Sequence, residues 1–195
     1  NLMVYLAEVQ ALQGELTEAM RTCQEAMTLL SAKTEQSTYA KALQTRGFIN
    51  RTNGDMSQAI ADLEAARQIF ERENDPKAVA IVTGELGIVY YYKNEFALAL
   101  ENYRRATSAC EAIKDSRGAM IGHLNIGDVL LQQRQYEGAS HELAIALGLA
   151  RKKKLSKDEL TAGLYLTEAH LALGRVEEAQ KELEALQPLL ENTSS

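Results

Sequence analysis

The chain has 195 residues, of which 46% are hydrophobic and 25% are charged, with a formal net charge of −6. Such a chain can bury a core and is not intrinsically disordered, and its acidic balance argues against non-specific nucleic-acid binding. Only two prolines and 12 glycines, together with abundant Ala, Leu, Glu, Gln and Lys, favour helix throughout.

The chain is predicted to form a single array of five helix pairs. The helix boundaries are clearest in the second pair. Its first helix is predicted over Ser37–Thr52 and its second from Asp55 or Met56 to about Glu73. Asn53-Gly54 separates the two helices, because Asn and Gly tolerate the left-handed conformation that ends a helix. The predicted pairs occupy 1–35, 36–75, 76–115, 116–155 and 156–191, with a polar tail at 192–195. Pro188 is expected to end or kink the last helix.

The five pairs repeat one pattern at a fixed spacing. Stepping by 40 gives alanine five times, at Ala19, Ala59, Ala99, Ala139 and Ala179. A second column gives Ala26, Ala66, Ala106, Ala146 and Leu186, and a third gives Ala7, Gly47, Gly87, Gly127 and Thr167. Small residues recurring in register indicate one structural unit repeated along the chain.

The repeated glycines predict close contact between helices. A glycine inside a helix costs about 1 kcal/mol relative to alanine, and this chain accepts that cost at Gly47, Gly87 and Gly127. We expect the alanines at 59, 99 and 139 to lie opposite them. The residues assigned to this structural repeat signature are Gly47, Ala59, Ala66, Gly87, Ala99, Ala106, Gly127, Ala139, Ala146 and Ala179.

The pattern resembles the tetratricopeptide repeat (TPR). The resemblance is clearest in the third pair, in the series Leu86, Gly87, Tyr90, Tyr91, Ala99, Tyr103 and Ala106. The period of 40 exceeds the usual 34 of the family, and is similar to that of kinesin light chains, Leu-Gly-Asn-repeat spindle proteins and bacterial maltose-activator-like regulators. The aromatic residue usual near the start of the first helix is absent from this chain.

The resemblance implies an all-α solenoid, a right-handed superhelix in which the first helix of each pair lines a concave surface. Apolar and aromatic residues at its centre, flanked by polar ones, suit a peptide or protein ligand. The residues expected on this surface are Lys41, Gln44, Phe48, Arg51, Ile81, Glu85, Ile88, Tyr91, Tyr92, Ile121, Leu124, Asn125, Asp128 and Gln132.

No pattern of catalytic or metal-binding residues is present in the sequence. The three histidines, His123, His141 and His170, fall in different columns of the repeat, so each is expected to be isolated on its helix. Phosphate-loop, HExxH and GxSxG motifs are absent. We therefore expect no enzyme activity, no cofactor and no metal.

The two cysteines, Cys23 and Cys110, lie in apolar helical patterns without CxxC spacing. They are predicted to be reduced and partly buried, as in a cytoplasmic protein. No apolar run approaches the roughly 20 residues of a membrane span, so no membrane association is expected. The first residue, Asn1, falls inside a helical pattern, which suggests a piece of a longer protein.

The predicted function is a non-enzymatic scaffold that binds a protein or peptide on the concave surface. We expect it to be a sensor or regulatory segment of a larger bacterial protein. Two alternatives use the same surfaces: docking of another domain of the parent protein, and self-assembly into a homodimer.

Overall fold

The computed structural model describes residues 2–30 and 36–192, and the side chains of these ranges up to residue 189. The described residues form ten α-helices and no strand, which confirms the predicted all-α fold of paired helices. The helices are α1 Leu2–Leu12, α2 Leu16–Leu29, α3 Gln36–Thr52, α4 Met56–Arg72, α5 Pro76–Tyr92, α6 Phe96–Ala112, α7 Ser116–Gln132, α8 Tyr136–Lys153, α9 Ser156–Ala172 and α10 Val176–Asn192.

The pair boundaries predicted from sequence stay predictions, although the helix ends agree with them to within a few residues. The predicted turn at 31–35 and the tail residues 193–195 lie outside the described residues. Residue 192, assigned to the tail from sequence, instead closes α10. Pro188 does not end that helix, which continues through it to Asn192. A proline in the last turn removes one backbone hydrogen bond but leaves the following residues free to keep helical angles.

Each short connection reverses the chain through one residue in the left-handed conformation. Gly14, Gly54 and Gly174 have φ of 83°, 88° and 73°, and non-glycine residues take the same role elsewhere. These residues are Asn74, Asn94, Lys114, Arg134 and Lys154, with φ between 54° and 60°. In every such connection the following amide donates to the carbonyl five residues earlier, as from Asp55 to Asn50 at 2.8 Å. This is the hydrogen bond of a Schellman helix end.

Aspartates cap three of the helices that follow these turns. The Asp55 carboxylate accepts a hydrogen bond from the Gln58 amide, and Asp75 accepts one from Ala78. Asp115 accepts hydrogen bonds from the amides of Arg117 and Gly118. Such a cap satisfies amides that have no partner within the helix.

The chain divides into two compact units, residues 1–102 and 103–195, with the division inside α6. In the first unit each of α1 to α4 packs on the next helix, and first helices also contact each other, α1 with α3 and α3 with α5. In the second unit α7 to α10 follow the same rule, and α7 contacts α9. We call the first helix of each pair, α1, α3, α5, α7 and α9, an A helix.

The small residues of the repeat are buried. The alanines of the repeat signature are between 0% and 7% exposed, and Gly47, Gly87 and Gly127 are also buried. In the first unit one apolar cluster joins α1, α2 and α3, and another joins α3, α4 and α5. The helix pairs therefore share one another's apolar faces, as stacked repeats do.

The partners of two signature glycines differ from the expectation. A Cβ atom on Gly127 would lie 2.5 Å from Leu143 Cγ, and one on Gly47 would lie 2.9 Å from Leu63 Cγ. Ala59 contributes only a backbone oxygen, at 3.4 Å, and Ala139 is not among the three nearest contacts of Gly127. A leucine side chain therefore fills most of the space that each glycine leaves, and Ala59 adds the expected contact to Gly47 through its backbone.

No helix among the described residues has both the length and the apolar character needed to cross a membrane.

Candidate binding site

A pocket of about 190 Å³ lies on the A helices of the first unit. We call it the α1–α3–α5 pocket, and its lining residues are Glu8, Leu12, Lys41, Gln44, Thr45, Phe48 and Glu85. Three successive A helices supply these residues because each lies against the next. The pocket is thus a direct product of the repeat.

A directed chain of hydrogen bonds crosses the pocket. Lys41 Nζ donates to Gln44 Oε1 at 3.3 Å, and Gln44 Nε2 donates to Glu85 Oε1 at 2.8 Å. Lys41 Nζ also lies 3.3 Å from Glu8 Oε1 in an ion pair. The series of hydrogen bonds runs from Lys41 through Gln44 to Glu85, so Glu85 is its terminal acceptor.

Glu85 is the most perturbed acid of the site. Its Oε2 atom is buried and has no hydrogen-bond partner among the described residues. Burial raises the pKa of the Glu85 carboxyl to about 7, an effect that Glu8 reinforces and that Gln44, Lys41 and Arg51 oppose. Glu85 therefore changes charge near neutral pH, which an ordinary glutamate does not do.

Aromatic side chains lie beside the pocket. The Arg51 guanidinium lies 5.0 Å from the ring centre of Phe48 and 5.6 Å from that of Tyr92. Tyr91 contacts the rings of Tyr92 and Phe96, with centres 5.8 Å and 5.9 Å away. Tyr92 is 58% exposed, whereas Tyr91 is half-buried. Phe48, Arg51 and Tyr92 thus form a cation–π cluster that solvent can reach.

Four of the residues predicted to bind a ligand line this pocket together: Lys41, Gln44, Phe48 and Glu85. Of the other predicted residues in this unit, Ile81 is exposed on α5 and Ile88 is half-buried there, and neither lines the pocket. Glu8 and Leu12 also line the pocket but are not among the residues predicted to bind a ligand. Both lie one repeat period before positions on α3, Phe48 and Thr52, so extending the same columns to the first pair would have found them.

The predicted residues of the second unit all lie on α7. Ile121 and Gln132 are exposed, and Leu124, Asn125 and Asp128 are half-buried. Gln132 Nε2 donates to Asp128 Oδ1 at 3.5 Å. Burial raises the pKa of Tyr165, and the charges of Asp128 and Glu168 raise it further, so these groups lie close to one another. The role of these α7 residues in binding stays a prediction.

His123 and the two cysteines are buried within the helix packing. His123 is buried, with Nδ1 2.6 Å from Glu142 Oε2 and Nε2 3.4 Å from Glu111 Oε1, so it is not the isolated histidine that the sequence suggested. Both cysteines are buried thiols outside any disulfide, and burial raises the pKa of Cys23 to about 11. Among the described residues, no group of three or more His, Cys, Asp or Glu side chains is arranged to hold a metal ion.

Comparison with known proteins identifies the repeat. The family model of the MalT-like TPR region matches residues 2–195. No curated protein matches the chain.

Solved structures similar to the chain include three from different proteins. BtubC (BKLC) from P. vanneervenii has a TM-score of 0.85 at 15% identity, covering 99% of this chain and 80% of its own. The apo form of RapI has a TM-score of 0.89 at 16% identity, covering 99% of this chain and 70% of its own. A STAND protein with a TPR sensor from Pyrococcus horikoshii has a TM-score of 0.84 at 19% identity, covering 96% of this chain and 28% of its own. At these identities the likeness establishes the fold alone.

Proposed function

The chain belongs to the family of MalT-like TPR regions, and we propose that it is a non-enzymatic module whose A helices bind a protein or peptide ligand. The observation that carries the proposal is the α1–α3–α5 pocket, in which Lys41, Gln44, Phe48 and Glu85 meet. These four residues lie on two different helices and were expected on one surface from the sequence and its family resemblance.

The chemistry of this region suits a peptide. Phe48 and the exposed Tyr92 offer aromatic anchors, and Arg51 between them offers hydrogen-bond donors. Peptide-binding surfaces typically combine a few such anchors with polar groups that fix the register of the ligand.

We further propose a place for the module: a regulatory or sensor segment of a larger bacterial protein, acting in the cytoplasm. The STAND protein from Pyrococcus horikoshii carries a TPR array described as its sensor, and this chain covers 28% of that protein. Two buried cysteines outside any disulfide fit a reducing compartment. The proposal requires no cofactor, metal or nucleic acid.

The test is a pull-down from lysate of the source organism with the wild-type chain and the double variant Phe48→Ala/Tyr92→Ala. Tyr92 is preferred to Tyr91, because Tyr91 packs against Phe96 and its loss would disturb the fold. The matched control is Gln68→Ala/Arg72→Ala, which changes two exposed residues of α4. We expect the control to retain bound protein and the aromatic variant to lose it, with equal helical circular dichroism in all three. Binding that survives in the aromatic variant would show that these helices are not the site.

A second candidate function is self-association. Helix α1 has an exposed apolar stripe at the helical spacing of one face, formed by Leu2 (84% exposed), Tyr5 (61%), Leu6 (49%), Val9 (49%) and Leu12 (73%). A large exposed apolar patch is unusual on a monomer, and a second copy of the chain would cover it. Light scattering over a range of concentrations tests this candidate. A constant monomer mass, unchanged in Tyr5→Glu, would contradict it.

A further inference from the structure

We propose that the α1–α3–α5 pocket is a subsite for a lysine side chain of the ligand, whose ammonium group pairs with Glu85. This inference rests on the proposed function, because it names the part of the ligand that the pocket receives. It follows from an unpaired acceptor, from the lack of a direct ion pair to that acceptor, and from the walls of the pocket.

The unpaired acceptor is Glu85 Oε2. Its sister oxygen, Oε1, already accepts the hydrogen bond from Gln44 Nε2 at 2.8 Å. Oε2 is buried and has no partner among the described residues, so a ligand donor reaches it once the Glu85 carboxylate turns toward the pocket. An unsatisfied buried carboxylate oxygen is costly, and a ligand donor that reaches it removes that cost.

Gln44 fixes the polarity of this acceptor. Its Oε1 atom accepts from Lys41, so its Nε2 atom must face Glu85 as a donor. Every hydrogen bond in the chain therefore stabilises the ionised form of Glu85. A ligand group that continues the chain at Oε2 must itself be a donor.

Glu85 has no direct ion-pair partner among the described residues, although cations lie near it. The groups that act on it are Glu8 from α1 and Lys41 and Arg51 from α3. Lys41 is already paired with Glu8 at 3.3 Å, and Arg51 is placed over the rings of Phe48 and Tyr92. Ionised Glu85 consequently has no ion-pair partner of its own among the described residues, and a cationic ligand group would supply one.

The geometry favours an ammonium over a guanidinium. A guanidinium binds a carboxylate best through two parallel hydrogen bonds to both oxygens. Here a guanidinium would have to share Oε1 with the Gln44 amide, whereas an ammonium needs only Oε2. A lysine ammonium is a compact donor.

The walls accommodate the methylene chain of a lysine. Leu12 and Phe48 give the pocket two apolar sides. Its volume is about 190 Å³, and a protein cavity of about 150 Å³ can hold a benzene molecule. That space holds a four-carbon chain along the apolar walls with its charged end at Glu85.

The pairing makes binding depend on pH. The ammonium binds the ionised form of Glu85, whose pKa of about 7 means that part of the population is protonated at neutral pH. Below this pKa each unit of pH lowers the ionised fraction about tenfold, and the affinity falls by the same factor. An alkylammonium, with a pKa near that of lysine at about 10.4, stays charged throughout this range.

The experiment uses the whole chain and butylammonium as the probe, with 1-butanol as the uncharged control. Binding is followed by NMR through the Glu85 carboxyl carbon and the Gln44 side-chain amide. We expect saturable shifts with butylammonium at pH 8, about tenfold weaker binding at pH 6, and none with butanol. Glu85→Gln should abolish saturation, and Glu101→Gln, which changes an exposed glutamate of α6, should leave it intact.

Three results would overturn the inference: no saturable binding of butylammonium, equal binding by Glu85→Gln, or binding that is the same at pH 6 and pH 8. None of them depends on the pull-down. A protein ligand that is lost in Phe48→Ala/Tyr92→Ala but kept in Glu85→Gln would leave the proposed function standing and remove only the lysine subsite.

Discussion

The Arg46 guanidinium donates two hydrogen bonds to the Asp62 carboxylate, from Nε to Oδ2 at 2.9 Å and from Nη2 to Oδ1 at 2.6 Å. Asn50 Nδ2 and Gln58 Nε2 donate to the same carboxylate, at 2.9 Å and 3.0 Å. Asp62 is only 2% exposed, and its ion pair with Arg46 joins α3 to α4. A buried carboxylate with four donated hydrogen bonds is well compensated, but it depends on each donor.

We therefore predict that Arg46→Ala destabilises the chain by about 3 kcal/mol, because it leaves a buried charge without its cation. The value lies at the low end for such pairs because the Arg46 side chain is 26% exposed. Urea unfolding followed by circular dichroism measures the change. The control is Arg21→Ala, which breaks ion pairs with Glu18 and Glu25 between well-exposed side chains and should cost little. Equal losses in the two variants would refute the role given to this pair.

Glu85 should make the stability of the chain fall as pH rises. Its pKa is raised to about 7 in the folded state, against 4.5 for a free glutamate side chain. Between these pKa values the unfolded chain releases the proton while the folded chain keeps it. The free energy of unfolding therefore falls as pH rises. The loss begins near pH 4.5, is complete above pH 7, and amounts to about 3 kcal/mol at most.

Comparison with Glu85→Gln isolates this effect. The glutamine cannot titrate, so the stability difference between variant and wild type should shift in favour of the variant from pH 5 to pH 8. Urea unfolding at unit steps of pH measures it. A difference that stays constant over that range would mean that Glu85 titrates normally.

Gly127→Ala should destabilise the second unit. The new Cβ would lie 2.5 Å from Leu143 Cγ, an atom near the base of a fully buried side chain that cannot swing away. Overpacking costs about 1–3 kcal/mol, and the better helix propensity of alanine returns about 1. We expect a net loss of up to about 2 kcal/mol, seen as a lower melting temperature.

Gly148→Ala is the matched control for that substitution. Gly148 lies in α8, and a Cβ there meets no atom within 4 Å. It should therefore gain up to about 1 kcal/mol from helix propensity alone. If both glycine substitutions stabilise the chain, close contact is not the reason for Gly127.

Helix capping offers a stabilising substitution. Asp55 caps α4 through the Gln58 amide, whereas Gln135, at the same place before α8, makes no side-chain cap. Asp55→Ala should cost about 1 kcal/mol, and Gln135→Asp should gain a similar amount. Thermal unfolding of the two single variants measures both effects. A loss of stability in Gln135→Asp would show that the α8 terminus cannot present its amides to a cap.

Much of the fold could be predicted because the residue types that favour helices and turns recur at the same positions of each repeat. Small and apolar residues in a repeated pattern marked the helices, and Asn53-Gly54 marked a turn in which Gly54 has positive φ. The turns at Lys114 and Lys154 were placed only approximately, since lysine carries no preference for the left-handed conformation. There the hydrogen bonds of the helix end, rather than the residue type, impose the backbone.

The site was less predictable. Which side chains pair depends on their positions in three dimensions, and the repeat pattern of the sequence does not give those positions. The sequence placed Lys41, Gln44 and Glu85 on one surface but did not indicate that they form a hydrogen-bonded chain. Nor did it indicate that the Arg46–Asp62 ion pair is buried or that His123 lies between two glutamates. These partners occur once rather than in every repeat, so the periodicity of the sequence carries no trace of them.

The left-handed turn residues recur at half the repeat period from Gly54 to Gly174, which sets a rule for how such a chain can lengthen in evolution. Duplicating one whole period keeps every turn in place, and each helix keeps neighbours of the same type as before. Duplicating half a period would also preserve the reversals, but it would exchange A helices with their partners beyond the insertion. Growth by whole periods is therefore the step that adds length and keeps a binding surface continuous.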